Sequence, residues 1–350
     1  MLIAGGCAGQ KQPVANPTAN ITEAAGQKTD DVIPTAQENR DTGAAPPTPA
    51  SETEAVPLSP ESNPDPANQL VLQISRDFGR TVLFAQTVYY HGNASLLDLM
   101  KAHLQVETGY GGSFINSING LSSSSGGFGG ARQDWFVYIN GICSDVGVQD
   151  YDPRNAQVIW WDYHRWKSGP SISALIGSYP EPFLHGYRGN IKPSLIMVAG
   201  GDLSIAGALQ QSLKSQDVAQ INITNIDENS LVNRSGPTIV VGEWGQLQSL
   251  NYLDKFNQAY KRNGTGIHFT DQGLELLDWN GQVQRSVAES VGVVVASGAG
   301  LGDDSPLWLV AGTDPIGLQY ALDLFKDTGK IKGLYGAAIT SGELIPLPLQ

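Results

Sequence analysis

Groups able to do acid–base, nucleophilic or metal chemistry are thinly spread in this chain of 350 residues, which has five histidines, two cysteines and 34 acidic side chains. A serine hydrolase needs a strained Gly-x-Ser-x-Gly elbow, and a zinc peptidase needs His-Glu-x-x-His on one helix face. A structural zinc site needs paired Cys-x-x-Cys. None of these spacings occurs. The histidines are scattered, so a triad would rest on coincidences of folding that no motif announces. A glycosidase pair of carboxylates is assembled in space, and nothing singles one out here. The phosphate-cradling loops also fail. Gly298-Ala299-Gly300-Leu301-Gly302 has no clean helix pattern after it, Asp303-Asp304 would repel phosphate, and Gly200-Gly201 lacks the spacing. The reading is a protein that binds and does not catalyse.

The elements that would position any site begin only after the first fifth of the chain. No Phe, Tyr or Trp precedes Phe78, whereas half of the 20 prolines precede Gln69. Such a stretch cannot offset the backbone entropy of folding, so residues 8–68 are predicted to be a disordered tether rich in Pro, Ala and Thr. The net charge of −13 divides into about −6 before Gln69 and about −7 after it, and neither part has a basic run. A nucleic-acid partner is therefore excluded from the reading, because phosphate neutralisation needs clustered Lys and Arg. No apolar stretch is long enough for a spanning helix.

Cys7 closes the run Leu2-Ile3-Ala4-Gly5-Gly6-Cys7, where small residues precede a thiol. This resembles a bacterial lipobox, with Ala4 where leucine is usual. Residues 1–7 then read as the remnant of a lipoprotein signal whose true start lies upstream or was trimmed, with Cys7 the lipidation site. The expectation is an extracytoplasmic protein held to the bacterial membrane by its lipid. Fully extended at ~3.3 Å per residue, the tether would reach ~200 Å. Cys143 then has no partner within the chain and reads as a buried free thiol.

Fifteen of the 28 aromatic residues fall between 69 and 169. Leu70 to Phe78 and Thr81 to Tyr90 alternate as a hairpin. A short amphipathic helix is expected from a capping residue at Asn93 through Lys101. A Gly-rich stretch follows from Gly109 to Gly120, then a Ser/Gly loop around Phe128. Next comes Asp134-Trp135-Phe136-Val137-Tyr138-Ile139-Asn140-Gly141, whose Asn-Gly marks a turn, and a last strand from Gln157 to Tyr163. The sum is a small, β-rich α+β domain over 69–169.

In that order, the leucine-rich helix, Gly109-Tyr110-Gly111-Gly112-Ser113-Phe114-Ile115-Asn116-Ser117-Ile118-Asn119-Gly120, Asp134 to Gly141, Tyr151 and Val158-Ile159-Trp160 resemble the transcobalamin-like C-terminal domain family over residues 69–166. That family includes the smaller domain of cobalamin carriers and many bacterial surface lipoproteins. Two departures stand out. Asn155-Ala156-Gln157 replaces the usual glycine and acidic residue, and the carriers' helical barrel is absent. The resemblance implies the fold and, more weakly, a face for cobalamin or another corrinoid, passed on to a membrane importer. A corrin is a broad plate with apolar faces and an amide rim, which suits aromatic side chains beside exposed backbone donors. Tyr110, Phe114, Asn116, Asn119, Phe128, Trp135 and Tyr138 are the candidate ligand-binding residues, with Trp135 also eligible for the core. No cofactor is required. Whether a metal binds is left open, and His91 and His164 are the candidates for an axial cobalt ligand. The alternative is a cell-envelope adhesion or structural protein without a small-molecule ligand.

Residues 170–189 read as a linker. From 190 to 350, apolar runs (Ser194 to Ala199, Ala219 to Ile223, Thr238 to Val241, Val291 to Ala296, Leu307 to Gly312) alternate with helical patterns. This implies an open α/β sheet, mostly parallel, with helices on both faces. Leu309-Val310-Ala311-Gly312-Thr313-Asp314 entering a helix loosely resembles α/β domains of prokaryotic surface-layer proteins. Ligands of such sheets collect at the carboxyl ends of strands. Here Gly200, Asp202, Glu243, Trp244, Asp303, Asp304 and Asp314 would gather, as solvated turn residues before a Ca²⁺ site.

Overall fold

A computed structural model describes residues 68–92, 94–125, 131–167 and 172–350. Cys7, residues 8–67 of the expected tether, Asn93, Phe128 and the side chain of Tyr110 lie outside the described part. The protein is β-rich, with several sheets and a few short helices.

Strands β1 (Gln69–Arg76) and β2 (Thr81–Tyr89) form the expected antiparallel hairpin. Alternation along β1 turns Leu70, Leu72 and Ile74 to one face, and all three are buried. Helix α1 (Leu96–His103) follows, and its cap is Ser95, not Asn93. Ser95 stands three residues before Asp98, so the two side chains satisfy each other's backbone N–H groups in a capping box. Beside α1, β3 (Val106–Gly109), β4 (Phe114–Ile118) and β5 (Leu121–Ser122) make a small antiparallel sheet. β6 (Arg132–Ile139), β7 (Ile142–Cys143) and β8 (Val158–Trp166) join the first hairpin in a five-stranded sheet of order β2-β1-β8-β6-β7. Its β1–β8 pair is parallel and the others are antiparallel. Asn140 and Gly141, at φ 50° and 78°, make the β6–β7 turn that their pairing announces.

Both faces of this sheet are covered. Leu72, Trp135 and Ile159 pack on Leu99 and Met100 of α1 and on Ile115 of β4. On the opposite face Trp160, Tyr138, Cys143 and Phe78 pack on Leu175 and Tyr335. Residues 172–189 are accordingly no solvated linker. Leu175 and Ile176 are fully buried, Leu175 N–H donates to the Gly141 carbonyl, and Ile176 N–H donates to that of Tyr335. The apolar Ala174-Leu175-Ile176 triplet fits a buried connector better than a linker.

The second half contains β9 (Ser194–Val198), β10 (Ile221–Asn225), β11 (Thr238–Glu243), β12 (Ile267–Thr270), β13 (Gly273–Leu277), β14 (Val283–Val287), β15 (Gly292–Ser297), β16 (Leu307–Gly312), β17 (Gly336–Ile339) and β18 (Leu344–Leu347). Its main sheet has the order β10-β9-β11-β16-β15-β17-β18, while β12, β13 and β14 form a separate antiparallel meander. Helices α2 (Gly207–Lys214), α3 (Glu228–Val232), α4 (Trp244–Leu247), α5 (Asn251–Gln258) and α6 (Pro315–Asp323) flank it. α2 and α6 bury Leu209, Leu213, Leu318 and Ala321 on one face. α3, α4, α5 and the meander cover the other with Leu231, Leu247, Leu253 and Phe269.

The mostly parallel expectation holds only for β10, β9, β11 and β16, because β15, β17 and β18 run antiparallel. The reversal also scatters the expected acidic edge. Ser297 of β15 pairs with Leu307 at the start of β16, so Asp303 and Asp304 lie at the end of the sheet away from Glu243, which pairs with Gly312. Several of these carboxylates have local tasks. Asp202 caps a 3₁₀ turn, Asp314 accepts from the Gly317 N–H at the start of α6, and Asp304 pairs with Lys192 at 2.6 Å.

Candidate ligand-binding site

The candidate residues divide between a sealed region and an open one. Trp135 is 5% exposed, and its Nε1–H donates to the Leu121 carbonyl at 3.0 Å. Tyr138 is 1% exposed, and its hydroxyl donates to the Ile172 carbonyl at 3.2 Å. Burial pushes the Tyr138 and Tyr335 phenols well above their usual pKa. Neither Trp135 nor Tyr138 presents a face to a ligand, because the sheet that carries them is packed on both sides.

His164 is likewise withdrawn. Its ring is stacked between Phe78 and Phe136, with centroids 4.4 and 4.2 Å away, and its Nδ1 donates to Asp162 at 2.8 Å. Asp162 is completely buried and also accepts from the Ser75 hydroxyl and from the N–H groups of Phe78 and Gly79. Trp160 Nε1–H donates to Ser75 Oγ at 2.7 Å. The carboxylate thereby holds the β1–β2 turn, where Asp77 and Phe78 sit at φ 59°, a conformation non-glycine residues adopt at a cost. Glycine is obligatory at position 79: a Cβ there would stand 2.2 Å from the Gly333 carbonyl oxygen. Ser75, Asp162 and His164 are not a nucleophilic triad. The carboxylate stands between serine and histidine, so the imidazole does not reach the hydroxyl.

The open region is the corner between α1 and the β3–β4 turn. β4 alternates so that Phe114 and Asn116 face outward while Ile115 and Ser117 are buried, and Phe114 is 44% exposed. Phe114 pairs in register with Gly109, and Tyr110 opens the turn between them. Asn119 is a turn residue: at φ 49° beside Gly120 at 82° it closes β4 onto β5, and its side chain accepts from the Gln105 N–H. Among the described histidines, His91 is exposed and stands in the loop before α1.

Next to Phe114 lies an open cleft of about 710 Å³, within the range of small-molecule sites. One wall is α1, with Ser95, the buried Leu97, Asp98 and Lys101. The other is Thr108, Gly109, Gly111 and Gly112, with Gln149 at one end. The hydrogen bonds from Ser95 hold the Asp98 carboxyl below its usual pKa. Gly111 and Gly112 have φ 71° and 100°, and a Cβ on Gly112 would meet the Gln149 amide at 2.0 Å. The glycines let the backbone come to the surface there, as a donor-lined wall requires. The cleft thus offers a cation, a carboxylate, an amide, hydroxyls and main-chain groups, and Phe114 is not among its lining residues. No cluster of three His, Cys, Asp or Glu side chains able to hold a metal occurs among the described residues.

Of the ligand-binding candidates from sequence, Phe114, Asn116 and the backbone of Tyr110 lie on β4 and the turn before it, and none of them is among the residues that line the cleft. The α1 wall and Gln149 were missed. The Ser95-x-x-Asp98 pattern marks the start of α1 as a capping box, and nothing local in the sequence brings Gln149 to it.

Residues 93–165 match the family model described as Domain of unknown function (DUF4430). The matched segment runs from the approach to α1 into β8 and contains both walls of the cleft. No curated protein matches the chain. Among solved structures, haptocorrin in complex with Cbi is similar at 17% identity and a TM-score of 0.24, over 30% of this chain and 27% of that one. A protein of Ruminococcus gnavus ATCC 29149, described as a candidate metal-binding protein, is similar at 10% identity and a TM-score of 0.22, over 29% of this chain and 99% of its own. The chain thus spans about a quarter of the length of the haptocorrin chain.

Proposed function

We propose that this protein is an extracytoplasmic binding protein, not an enzyme, that captures cobalamin, another corrinoid or a similar amide-rimmed molecule at the α1/β3 cleft and presents it to a membrane importer. The observation that carries this reading is the cleft itself: an open site whose walls are polar and glycine-backed, with the exposed Phe114 on the strand paired to Gly109 of its wall. In this reading Lys101, Gln149 and main-chain groups meet a rim of amides, and Phe114 covers whatever part of an apolar ring face extends past the cleft onto β4. The transcobalamin-like order of motifs in residues 69–166 supports the same ligand class. Cys7, with its lipobox-like context, would hold the domain to the membrane.

Titrating the full chain with cyanocobalamin and cobinamide, followed by absorbance and calorimetry, tests the proposal. Saturable binding that weakens in Phe114→Ala and Lys101→Glu is the expected result. No response at millimolar ligand overturns it and leaves the envelope-adhesion reading. For the anchor, a Cys7→Ser chain that stays in the membrane fraction would count against lipidation.

A further inference from the structure

The turn Tyr187-Arg188-Gly189-Asn190 carries an arginine where its geometry favours another residue. Asn190 N–H donates to the Tyr187 carbonyl at 2.9 Å, and the two central residues sit at φ 54° and 74°. Turns of this kind prefer Asn-Gly or Gly-Gly, because a positive φ strains any side chain that is not short and able to bond its own backbone. Arg188 is long and exposed. The turn therefore keeps a cation at a cost in backbone strain.

A second arginine comes to the same place. A Cβ on Gly189 would stand 2.7 Å from Arg154 Cδ, 3.4 Å from its Nε and 3.7 Å from its Nη1, so the Arg154 side chain lies over the turn. Arg188 Cζ stands 6.0 Å from the centroid of the Tyr151 ring. Burial pushes the Tyr151 phenol up to about 12, and the charges of Arg154 and Arg188 both pull against that rise. Neither guanidinium has an ion-pair partner among the described residues, although Asp150 and Asp152 share the loop with Arg154. Two like charges held together repel, and a chain with 34 acidic side chains against 21 Lys and Arg has partners to spare. Beside the pair, the wholly buried Gln157 accepts at Oε1 from the Tyr151 hydroxyl and the Arg154 N–H, at 2.9 and 2.8 Å. Its Nε2 is buried with no hydrogen-bond partner, and an unused buried donor is rare enough to call for an explanation.

We propose that Arg154 and Arg188 form a site for a tetrahedral oxyanion, phosphate or a phosphate monoester, held between the two guanidiniums. A guanidinium presents a planar fork of donors that matches phosphate oxygens. Two monocations balance the nearly double negative charge that such a group carries at neutral pH. The net charge of −13 does not forbid this, since exposed charges more than about 8 Å away are largely screened at physiological salt and the arginine pair dominates locally. None of these residues lines the α1/β3 cleft, so the inference does not depend on the proposed function.

The test compares inorganic phosphate with sodium chloride at matched ionic strength, on the full Cys7→Ser chain. Phosphate should raise the thermal midpoint and give saturable heat in calorimetry, and chloride should do neither. Arg154→Gln combined with Arg188→Gly should abolish both responses. Arg188→Gly by itself separates binding from structure. It relieves the strained turn, so the midpoint without phosphate should hold or rise, while phosphate affinity falls at least about tenfold. Phosphatidylcholine vesicles containing phosphatidic acid read the source of the group. Co-sedimentation that phosphate competes away and the double variant lacks identifies a lipid headgroup; phosphate binding without co-sedimentation identifies a soluble phosphate, and either result supports the site. A phosphate response no larger than that of chloride overturns the proposal, as does one that persists in the double variant. A midpoint that drops in Arg188→Gly with phosphate binding intact also overturns it, and assigns Arg188 to the fold.

Discussion

His164 and Phe114 come from the same hundred-residue stretch, and both look from sequence like residues meant to meet a ligand. His164 lies 4% exposed between two phenylalanines on the face of the sheet that packs against Leu175 and Tyr335. Phe114 lies 44% exposed on a small sheet that, among the described residues, is covered on one side only. Residue type does not separate them; the number of covered faces does. A sheet packed on both sides turns its aromatic and polar residues inward to hold the fold, whereas the glycine turn and the outward residues of β4 remain accessible.

The contrast breaks most clearly at Asp162. Replacing it with alanine leaves the Phe78 and Gly79 N–H groups, the Ser75 hydroxyl and His164 without their acceptor, all at buried or part-buried positions. A loss of about 3–5 kcal/mol in urea unfolding is expected. A loss below about 1 kcal/mol would show that this node does not hold the turn.

Alkaline titration should expose the same asymmetry. Burial raises the Cys143 thiol from 9.0 to about 12, and the Tyr151 and Tyr179 phenols from 10.0 to about 12. In each case the unfolded chain releases its proton first, so between the ordinary and the raised pKa it binds fewer protons than the folded chain. Stability is then full below pH 9.0 and falls as pH rises toward about 12. Urea unfolding at stepped pH checks the slope. In a Cys7→Ser chain, thiol labelling near pH 9.0 should be slow until denaturant is added.

At the open corner the effects on stability are small. Ser95→Ala removes the capping box of α1 and should cost about 1 kcal/mol, read by the unfolding midpoint. Phe114→Ala should change stability by about 0.5 kcal/mol or less, since the ring is largely outside the core.

Much of this fold was legible in the sequence. The β1–β2 hairpin, the Asn140-Gly141 turn and the strand starts at Ser194, Thr238 and Leu307 follow from alternation, turn chemistry and apolar runs. Local pattern could not give strand direction, so the antiparallel β15 was missed, and with it the true places of Asp303 and Asp304. Burial on both faces was also hidden, because Trp135 and Tyr138 are equally suited to a core and to a binding surface. The segment around Leu175 was read as a linker because it has neither period, although its apolar triplet marked it as buried. The candidate cleft was half legible: Gly109 to Gly112 and Phe114 stood out, while Lys101 and Gln149 became neighbours only through the packing of α1.

The central claim is that binding belongs to the open corner and not to the sealed face. Parallel titrations of the wild type, Phe114→Ala and Tyr138→Phe with cobinamide test it most directly. The account predicts binding by the wild type, at least about a fivefold loss in Phe114→Ala, equivalent to roughly 1 kcal/mol, and no change in Tyr138→Phe. Binding lost in Tyr138→Phe and kept in Phe114→Ala, with both variants folded, would contradict it.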